Sequence, residues 1–352
     1  MQLELIDDIA RLQLPSTRYQ GSKAKLADWI WRSIRSFNFE TILDAFGGTG
    51  SISYYLKLHG KRVTFNDYLL SNSISAKALI ENQRVRVSNR LLDSILEQTN
   101  AHGDFVQRTF EDIFYLAEEN KWIDRMSANI RSLPFGHEQA ILYRALFQSC
   151  IIKRPYNLFH RKNLYMRTAL VQRKFGNKAT WDTPFEKHFR DFVSETNDLV
   201  FDSGTLCTSL AMEAQAVPGH YDLVYLDPPY VNASGVGIDY RDFYHFLEGL
   251  ADYENWKDNI DFSRKHRPLN PVPSPWISGK TIMQAFNALF RKHADSIITV
   301  SYRSDGIPSE LDLTRLLQKY KKHVEVLHYG AYKYVLSKNA ASREILLIGH
   351  DG

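Results

Sequence analysis

Short apolar runs alternate with amphipathic segments along much of the chain, which is the pattern of strands that alternate with helices. Strands are predicted over residues 41–46, 61–66, 221–226, 296–301, 324–327 and 345–348, and helices over residues 51–58, 70–82 and 309–320. Such alternation produces βαβ units, so we expect an α/β fold with a doubly wound, mostly parallel sheet. No helix separates the last two predicted strands, so we expect them to form an antiparallel hairpin at one edge of the sheet.

A stretch of about 150 residues separates the second and third predicted strands, far more than an ordinary crossover connection needs. It contains several helical patterns, which indicate a mainly helical inserted domain. We therefore predict a catalytic domain of residues 1–85 and 200–352, interrupted by an inserted domain of residues 86–199. A second irregular stretch, residues 264–276, contains four of the 12 prolines and is interpreted as a stiff surface loop.

Positive charge is concentrated in one part of the predicted insert, although the whole chain of 352 residues has a net charge of only +4. Residues 151–180 carry eight cations and no acid: Lys153, Arg154, Arg161, Lys162, Arg167, Arg173, Lys174 and Lys178. Removing these eight from the 44 Lys and Arg leaves 36 against 40 Asp and Glu. Such a block is either a solvated face or a surface that binds a polyanion.

Several classes of protein are excluded by what the sequence lacks. No apolar run approaches the roughly 18 residues that a membrane helix requires. Residues 1–10 contain three acids and no Lys or Arg, unlike a secretory or mitochondrial leader. The two cysteines, Cys150 and Cys207, form no CxxC pair, which argues against a disulfide scaffold or a cysteine-rich zinc site and fits the reducing cytoplasm.

The first candidate for chemistry is a glycine-rich turn, residues 44–50 (DAFGGTG), between a predicted strand and a helix. Its glycines let a ligand approach the backbone, and Asp67 follows the next strand, where a carboxylate can bind ribose hydroxyls. The GxGxxG motif of a dinucleotide site needs a third small residue, and in this sequence that position is Ser53. The acid Asp44 suits a ligand with an amino group, such as the methionine part of S-adenosylmethionine. A turn without any ligand is the alternative.

The second candidate is residues 227–230 (DPPY), directly after a predicted strand. The two prolines remove backbone donors and fix φ, so their carbonyls can accept hydrogen bonds from a ligand. Asp227 adds a charged acceptor and Tyr230 adds a flat ring, at the end of a strand where open α/β sheets bind ligands. This combination suits an exocyclic amino group on a flat heterocycle. The alternative is a rigid turn that caps a strand.

Together these motifs resemble those of the alpha-class, Dam-like, adenine-specific DNA methyltransferases. The likeness rests on residues 19–23 (YQGSK), 46–50 (FGGTG), 66–67 (ND), 227–230 (DPPY) and 301–306 (SYRSDG), where Arg303 stands in place of the usual Asn. The motif order matches the alpha class, with the cofactor motif first, a target-recognition domain next and the catalytic motif last. The family often has an acid that contacts the cofactor's adenine, and none is assigned near residues 206–209.

The resemblance implies a Rossmann-like S-adenosylmethionine-dependent methyltransferase fold with an inserted target-recognition domain. Lys23 would bind the carboxylate end of the cofactor and Asp44 its amino end. The implied cofactor site comprises Tyr19, Lys23, Asp44, Phe46, Gly48, Asp67 and Asp227. The eight cations of residues 151–180 are the predicted contacts to double-stranded DNA.

The implied catalytic residues are Asp227, Pro228 and Tyr230. The Asp227 carboxylate and the Pro228 carbonyl would accept hydrogen bonds from the amino group of adenine. These bonds localise the nitrogen lone pair for a direct in-line displacement. Tyr230 would stack on the target base after it is flipped out of the duplex. No covalent intermediate and no metal is required.

We expect a monomer that methylates adenine within a specific DNA sequence and works beside a partner restriction endonuclease, not on a membrane. Methylation of a cytosine ring carbon is excluded, because it typically needs a nucleophilic cysteine after a proline and neither cysteine follows one. Two alternatives stay open. One is an RNA or cytosine-amino methyltransferase, although the latter usually carries Ser in place of Asp227. The other is a catalytically silent nucleic-acid-binding protein of the same fold.

Overall fold

The computed structural model describes residues 14–16, 21–99, 103–169, 178–330 and 342–352. These residues divide into two compact units. The sheet unit comprises the described parts of Gln20–Ala76, Ser203–Asp239 and Val272–Gly352. The helical unit comprises the described parts of Met1–Tyr19, Lys77–Asp202 and Tyr240–Pro271. No helix among the described residues is both long and apolar enough to cross a membrane.

The sheet unit is built on a mostly parallel sheet, as the sequence predicts. Its described strands are β1 (Thr41–Asp44), β2 (Arg62–Asp67), β3 (Thr208–Ala211), β4 (Leu223–Leu226), β5 (Ile297–Arg303), β6 (His323–Tyr329) and β7 (Glu344–His350). Their order in the sheet is β3-β2-β1-β4-β5-β7-β6. Strands β1 to β5 run parallel to one another, and β7 runs antiparallel to both β5 and β6. The predicted α/β fold is therefore confirmed.

Five α-helices of the described residues accompany the strands of this unit. Their bounds are Ala27–Ile34, Ser51–Leu58, Leu70–Ala76, Ile282–Lys292 and Glu310–Leu317. Helix Ile282–Lys292 buries the spacing i, i+3, i+4, i+7 and i+8 in the core that also contains β4 and β5. Helix Glu310–Leu317 begins where it does because Ser309 and Asp312 form a reciprocal capping box.

Two features of the sheet differ from the predictions. Strand β3 lies at one edge beside β2, and neither of its end residues is buried, so it has no continuous apolar run by which the sequence could reveal it. The insertion therefore precedes the third strand of the chain instead of separating β2 from β4 directly. Strands β6 and β7 do pair antiparallel, with β6 at the edge, but β7 also pairs with β5 over six residues.

The helical unit is formed almost entirely of helices. Their bounds are Asn89–Glu97, Phe105–Thr109, Ala117–Arg131, His137–Ile152, Tyr165–Thr168, Lys178–Asp182, Phe185–Leu199, Tyr240–Ala251 and Tyr253–Trp256, and a π-helical turn spans Lys77–Glu81. Helix His137–Ile152 is buried along most of its length. It is joined to helix Phe185–Leu199 by a hydrogen bond of 2.6 Å from the Arg144 guanidinium to the Thr196 hydroxyl.

The division into units differs from the predicted boundaries. Residues 14–16, 77–85, 200–202 and 240–271 were predicted in the catalytic domain, but they belong to the helical unit. For residues 240–271 the reason is an aromatic core, in which Phe246 and Trp256 pack on Phe110 at ring-centroid distances of 5.0 and 5.1 Å. Gly249 faces the Trp256 ring so closely that a Cβ there would lie 1.9 Å from it. Sequence order does not reveal the packing of Phe246 and Trp256 on Phe110, because more than 100 residues separate them from Phe110.

Candidate active site

Three carboxylates end three neighbouring strands of the sheet. Asp44 is the last residue of β1, Asp67 is the last residue of β2, and Asp227 follows β4 directly. These strands are parallel and adjacent, in the order β2-β1-β4. Parallel strands place their carboxyl ends at one edge of the sheet, which is where open α/β folds bind ligands.

The glycine-rich turn after β1 is held by the end of β2. The Gly47 amide donates to the Asn66 carbonyl at 2.8 Å, and the Gly48 amide donates to the Asp67 carboxylate at 2.7 Å. Gly48 has a φ of 54°, which favours glycine, and a Cβ on Gly47 would lie 2.1 Å from the Phe65 ring. Beside the turn, the Phe46 ring packs edge-on against Trp276 with centroids 4.7 Å apart.

Asp44 is almost completely buried, with 1% of its surface exposed. Its Oδ2 accepts a hydrogen bond of 2.6 Å from the Ser53 hydroxyl, whereas its Oδ1 has no hydrogen-bond partner among the described residues. Burial raises the pKa of Asp44 to about 7, against the effect of the Ser53 hydrogen bond. A buried acceptor without a donor is costly, so this atom fits a ligand that brings a donor.

Asp67 has both of its oxygens engaged by the backbone. Oδ1 accepts from the Leu69 amide and Oδ2 from the Gly48 amide, both at 2.7 Å. Burial raises the pKa of Asp67 to about 6, although these amide hydrogen bonds act in the opposite direction. Each carboxylate oxygen can accept a second hydrogen bond, so Asp67 can still receive one from a ligand hydroxyl.

Asp227 lies in a cluster of ionisable and hydroxyl groups. Its Oδ1 accepts hydrogen bonds from the Lys23 ammonium at 2.8 Å and from the Tyr230 hydroxyl at 3.0 Å. Burial raises the pKa of Asp227 to about 6, Lys23 opposes this shift, and the charge of Glu344 adds to it. Pro228 is buried beside it, and the Tyr230 ring packs at 85° against Tyr302, which fixes its plane.

Lys23, which is predicted to bind the carboxylate end of the cofactor, belongs to the Asp227 cluster. Its ammonium bonds to Asp227 and to the Tyr230 hydroxyl, and it lies 3.5 Å from a carboxylate oxygen of Glu344. Glu344 begins β7 and is fully buried. The sequence analysis missed Glu344, because a single acid at the start of an apolar strand belongs to no motif and its partners are distant in sequence.

The sequence assigns no acid near residues 206–209 to the adenine of the cofactor. The structure places Glu213 two residues after β3, and β3 pairs with β2 up to Asp67. The Asn66 side chain donates to the Met212 carbonyl at 3.0 Å and so holds this segment against β2. Burial raises the pKa of Glu213. Glu213 could have been found from the end of β3, but the apolar pattern does not predict that strand.

Three of the eight predicted DNA contacts have buried side chains, which argues against their contact with a phosphate. Lys153 and Arg167 pair with Glu119 at 2.8 and 2.7 Å, and they hold the pKa of that carboxyl below its usual value although burial opposes this. Arg154 is 1% exposed, donates to the carbonyls of Phe114 and Leu158, and stacks on the Phe114 ring. The partners of these cations therefore lie within the helical unit.

The other predicted cations lie on the surface or outside the described residues. Arg161 and Lys162 are exposed, and exposed Lys178 pairs with Asp182 on the same helix. Close to them in sequence, Tyr156 and Tyr165 expose 65% and 68% of their surface. Three predicted site residues lie outside the described residues, namely Tyr19, Arg173 and Lys174.

The cluster at the ends of β1, β2 and β4 can serve two ligands of different chemistry. Asp44 and Asp67 offer acceptors for an ammonium and for hydroxyls, beside a backbone turn with little steric bulk. Asp227 and Tyr230 offer a charged acceptor and an aromatic ring for a flat heterocycle with an amino group. Because both sets lie at the same sheet edge, the arrangement suits transfer of a group from one ligand to the other.

Comparison with known proteins agrees with this geometry. The chain is 27% identical over 342 residues to the type II methyltransferase M2.HphI of Haemophilus parahaemolyticus, covering 95% of this chain and 96% of the relative. It is 24% identical to M.NlaIII of Neisseria lactamica, covering 87% and 89%. It is 25% identical to M.FokI of Planomicrobium okeanokoites, where it covers 86% of this chain but only 47% of the longer relative.

The match to a family model extends over most of the chain, from residue 19 to residue 294. This span includes the glycine-rich turn, the whole insertion and the DPPY segment. The chain therefore belongs to the D12 class of N6 adenine-specific DNA methyltransferases.

Proposed function

We propose that the sheet unit binds S-adenosylmethionine at the ends of β1 and β2 and presents Asp227 and Tyr230 to an adenine flipped out of duplex DNA. The observation that carries this proposal is the unpartnered, buried Oδ1 of Asp44, which lies at the turn where the amino group of the methionine part would bind. Asp67 would accept a hydrogen bond from the ribose, and Glu213 from the adenine of the cofactor.

Bound in this way, the cofactor supplies an electrophilic methyl group. The chain's own residues supply position and electrostatics. The Asp227 carboxylate and the Pro228 carbonyl accept hydrogen bonds from the adenine amino group and so direct its lone pair. Because Asp227 is largely buried, with 15% of its side chain exposed, its hydrogen bond is stronger than it would be in water.

A direct test measures the product. The purified protein is incubated with methyl-labelled S-adenosylmethionine and with duplex DNA, RNA or no nucleic acid, and the nucleic acid is digested to nucleosides. We expect the label only on N6 of deoxyadenosine from duplex DNA. Label on cytidine or on RNA nucleosides would overturn the proposal in favour of the other substrates. Absence of transfer to any of them would indicate a silent binding protein.

Tyr230 is expected to act mainly through its ring. Tyr230→Ala should lower kcat/KM for DNA by roughly ten- to a hundred-fold, because a stacked base is worth about 1–3 kcal/mol. Tyr230→Phe keeps the ring and its packing against Tyr302, so it should retain more activity than Tyr230→Ala. Steady-state kinetics with an oligonucleotide duplex measure both. Equal losses in the two variants would assign the effect to the hydroxyl group instead.

We propose the helical unit as the part that recognises the DNA sequence. It exposes Arg161 and Lys162, which can neutralise phosphates, close in sequence to the exposed rings of Tyr156 and Tyr165, which can stack on bases. Tyr156 and Asn157 both have positive φ values, 62° and 59°, at this surface. Such backbone conformations are uncommon for residues other than glycine and are concentrated at functional sites.

The salt dependence of DNA binding tests this surface. Each phosphate contact contributes about −0.9 to the slope of log affinity against log salt concentration. Arg161→Ala and Lys162→Ala should each make the slope shallower by about one if the residue contacts a phosphate. Lys187→Ala is the matched control, because Lys187 is an exposed cation that pairs with Asp191 on its own helix. Unchanged slopes in both variants would place the DNA-binding surface elsewhere.

The relatives named above include type II methyltransferases, and on that basis we propose that this enzyme protects a specific DNA sequence from a partner restriction endonuclease in the cytoplasm. We propose that it acts as a monomer. Methylome sequencing of a heterologous host that expresses the chain identifies the methylated sequence. Methylation of adenines without a common sequence would contradict the proposed pairing.

A further inference from the structure

We propose that Glu344 is a positioning residue that takes over the Lys23 ammonium when the amino group of the target adenine occupies Asp227. This inference rests on the proposed function, since it assumes that Asp227 accepts that amino group. It concerns a step that the DPPY motif alone does not explain, namely how the acceptor becomes available.

The first observation is that Lys23 occupies the acceptor. Its ammonium lies 2.8 Å from Oδ1 of Asp227 and also bonds to the Tyr230 hydroxyl. These are the groups that would meet the adenine, and the ammonium presents the same N–H donors that an amino group would. With the Lys23 ammonium and the Tyr230 hydroxyl both bonded to Oδ1, its two lone pairs are filled, so an adenine amino group can bond to Oδ1 only after one of these donors leaves.

The second observation concerns the burial of Lys23, which makes it unfavourable to move the ammonium away from a carboxylate. The Lys23 side chain is 7% exposed, so its ammonium has little access to water. A buried ammonium without an anionic partner is strongly unfavourable. If Asp227 were its sole carboxylate partner, the adenine amino group, a weaker and neutral donor, would compete poorly for that site. The resting ion pair would then oppose binding of the target base.

Glu344 supplies the second partner. One of its carboxylate oxygens lies 3.5 Å from the Lys23 ammonium, and its side chain is fully buried. The same oxygen accepts a hydrogen bond from the Ser301 hydroxyl and lies 3.0 Å from the Tyr230 hydroxyl, whose single proton it can receive in place of Asp227. The backbone also fixes it, because β7 pairs with β5 next to this point, with Arg303 opposite Glu344. The carboxylate is therefore held close to Lys23 before any base enters.

The ammonium can thus move from one buried carboxylate to the other without losing an ion pair. Two carboxylates share one ammonium in this cluster, so the ammonium keeps an anionic partner after it has moved. The groups that interact electrostatically with Asp227 come from several elements, namely Lys23, Tyr230, Glu344, Asp44 and Tyr225. Of the carboxylates among these groups, Asp227 and Glu344 lie within 4 Å of the Lys23 ammonium.

Glu344→Gln tests the proposal, because glutamine keeps the shape and an acceptor for the Ser301 and Tyr230 hydroxyls but lacks the charge. We expect methylation of duplex DNA at saturating cofactor to fall roughly tenfold or more, with the affinity for S-adenosylmethionine unchanged. Glu325→Gln is the matched control, since Glu325 lies on the neighbouring strand β6 with half of its side chain exposed. Unchanged turnover in Glu344→Gln would overturn the proposal.

The pH profile separates this role from a merely structural one. Glu344 raises the pKa of Asp227, so removing its charge should move the acidic limb of kcat/KM to lower pH. A structural defect would lower the rate at all pH values and leave the limb in place. That second result would contradict the proposal.

A double-mutant cycle gives a further readout. In a Lys23→Met background no ammonium competes for Asp227, so Glu344→Gln should have little additional effect. Additive losses would count against the transfer of Lys23 between the carboxylates. Failure of this inference is distinguishable from failure of the proposed function. If Glu344→Gln is fully active while Asp227→Ala is inactive, only the inference fails. If Asp227→Ala is also active, the proposed function fails.

Discussion

Replacing Asp227 by Ala is expected to abolish detectable methyl transfer to DNA while the protein keeps its fold. The substitution removes the charged acceptor for the adenine amino group, and loss of one preorganised electrostatic contact to a reacting group costs roughly 10²–10³-fold in rate. It also leaves the Lys23 ammonium with Glu344 as a nearby carboxylate, so the buried charge keeps a partner. Single-turnover transfer of labelled methyl groups measures the rate, and circular dichroism checks the fold.

Asp227→Asn is the companion variant, because it preserves shape and removes charge. It should lose most of the activity as well. The wild type adds a pH signature, since Asp227 must be ionised to accept hydrogen bonds in this way. Because burial raises its pKa to about 6, kcat/KM should be constant well above this pH and decline as the pH falls through it. Near-normal turnover in Asp227→Ala would refute the mechanism.

Replacing Asp44 by Asn is expected to weaken S-adenosylmethionine binding roughly ten- to a hundred-fold. A hydrogen bond to a charged group is worth about 1.5–3 kcal/mol, and Asp44 would supply the charge that meets the ammonium of the methionine part. Asp44 gives a cleaner test than Asp67, whose oxygens also hold the backbone of the glycine-rich turn. Isothermal titration calorimetry measures the affinity, and thermal unfolding checks stability.

The protonation of Asp44 gives this prediction a second, independent readout. Its pKa is raised to about 7, so near neutral pH a substantial fraction is protonated before a ligand binds. A cationic ligand favours the carboxylate, so binding should release protons and become tighter as the pH rises through about 7. The measured enthalpy should then depend on the buffer's ionisation enthalpy, and less so in Asp44→Asn. Tight binding of NAD in place of S-adenosylmethionine would contradict the cofactor assignment.

The sequence predicts the sheet well where a strand is buried on both faces. Strand β4 is entirely buried, and its apolar run ends at the prolines after Asp227, so both the strand and the catalytic segment could be predicted. Strand β3 is a short edge strand with polar and small residues, so periodicity carries no signal for it. The acid Glu213 was missed with it, because its position is defined by the end of that strand.

The charge pattern predicted the exposed cations of the surface less well than the apolar pattern predicted the strands. The density of cations in residues 151–180 suggested one surface, but Lys153 and Arg167 meet Glu119 of another helix, and Arg154 lies among aromatic rings. Whether a cation is buried depends on tertiary partners, which a local count does not contain. The same limit explains Glu344, because its importance arises from groups more than 40 residues away in sequence.

The position of β7 between β5 and β6 has a consequence for the synthesis of the enzyme. Until residues 344–350 have left the ribosome, β5 and β6 have no partner in the place that β7 fills, and Lys23 lacks its second carboxylate. While that place is empty, the facing edges of β5 and β6 stay exposed to pairing with other chains. A nascent or prematurely terminated chain that ends before residue 344 should therefore neither complete the sheet nor methylate DNA, and it becomes a substrate for chaperones and proteases instead of a partly active enzyme.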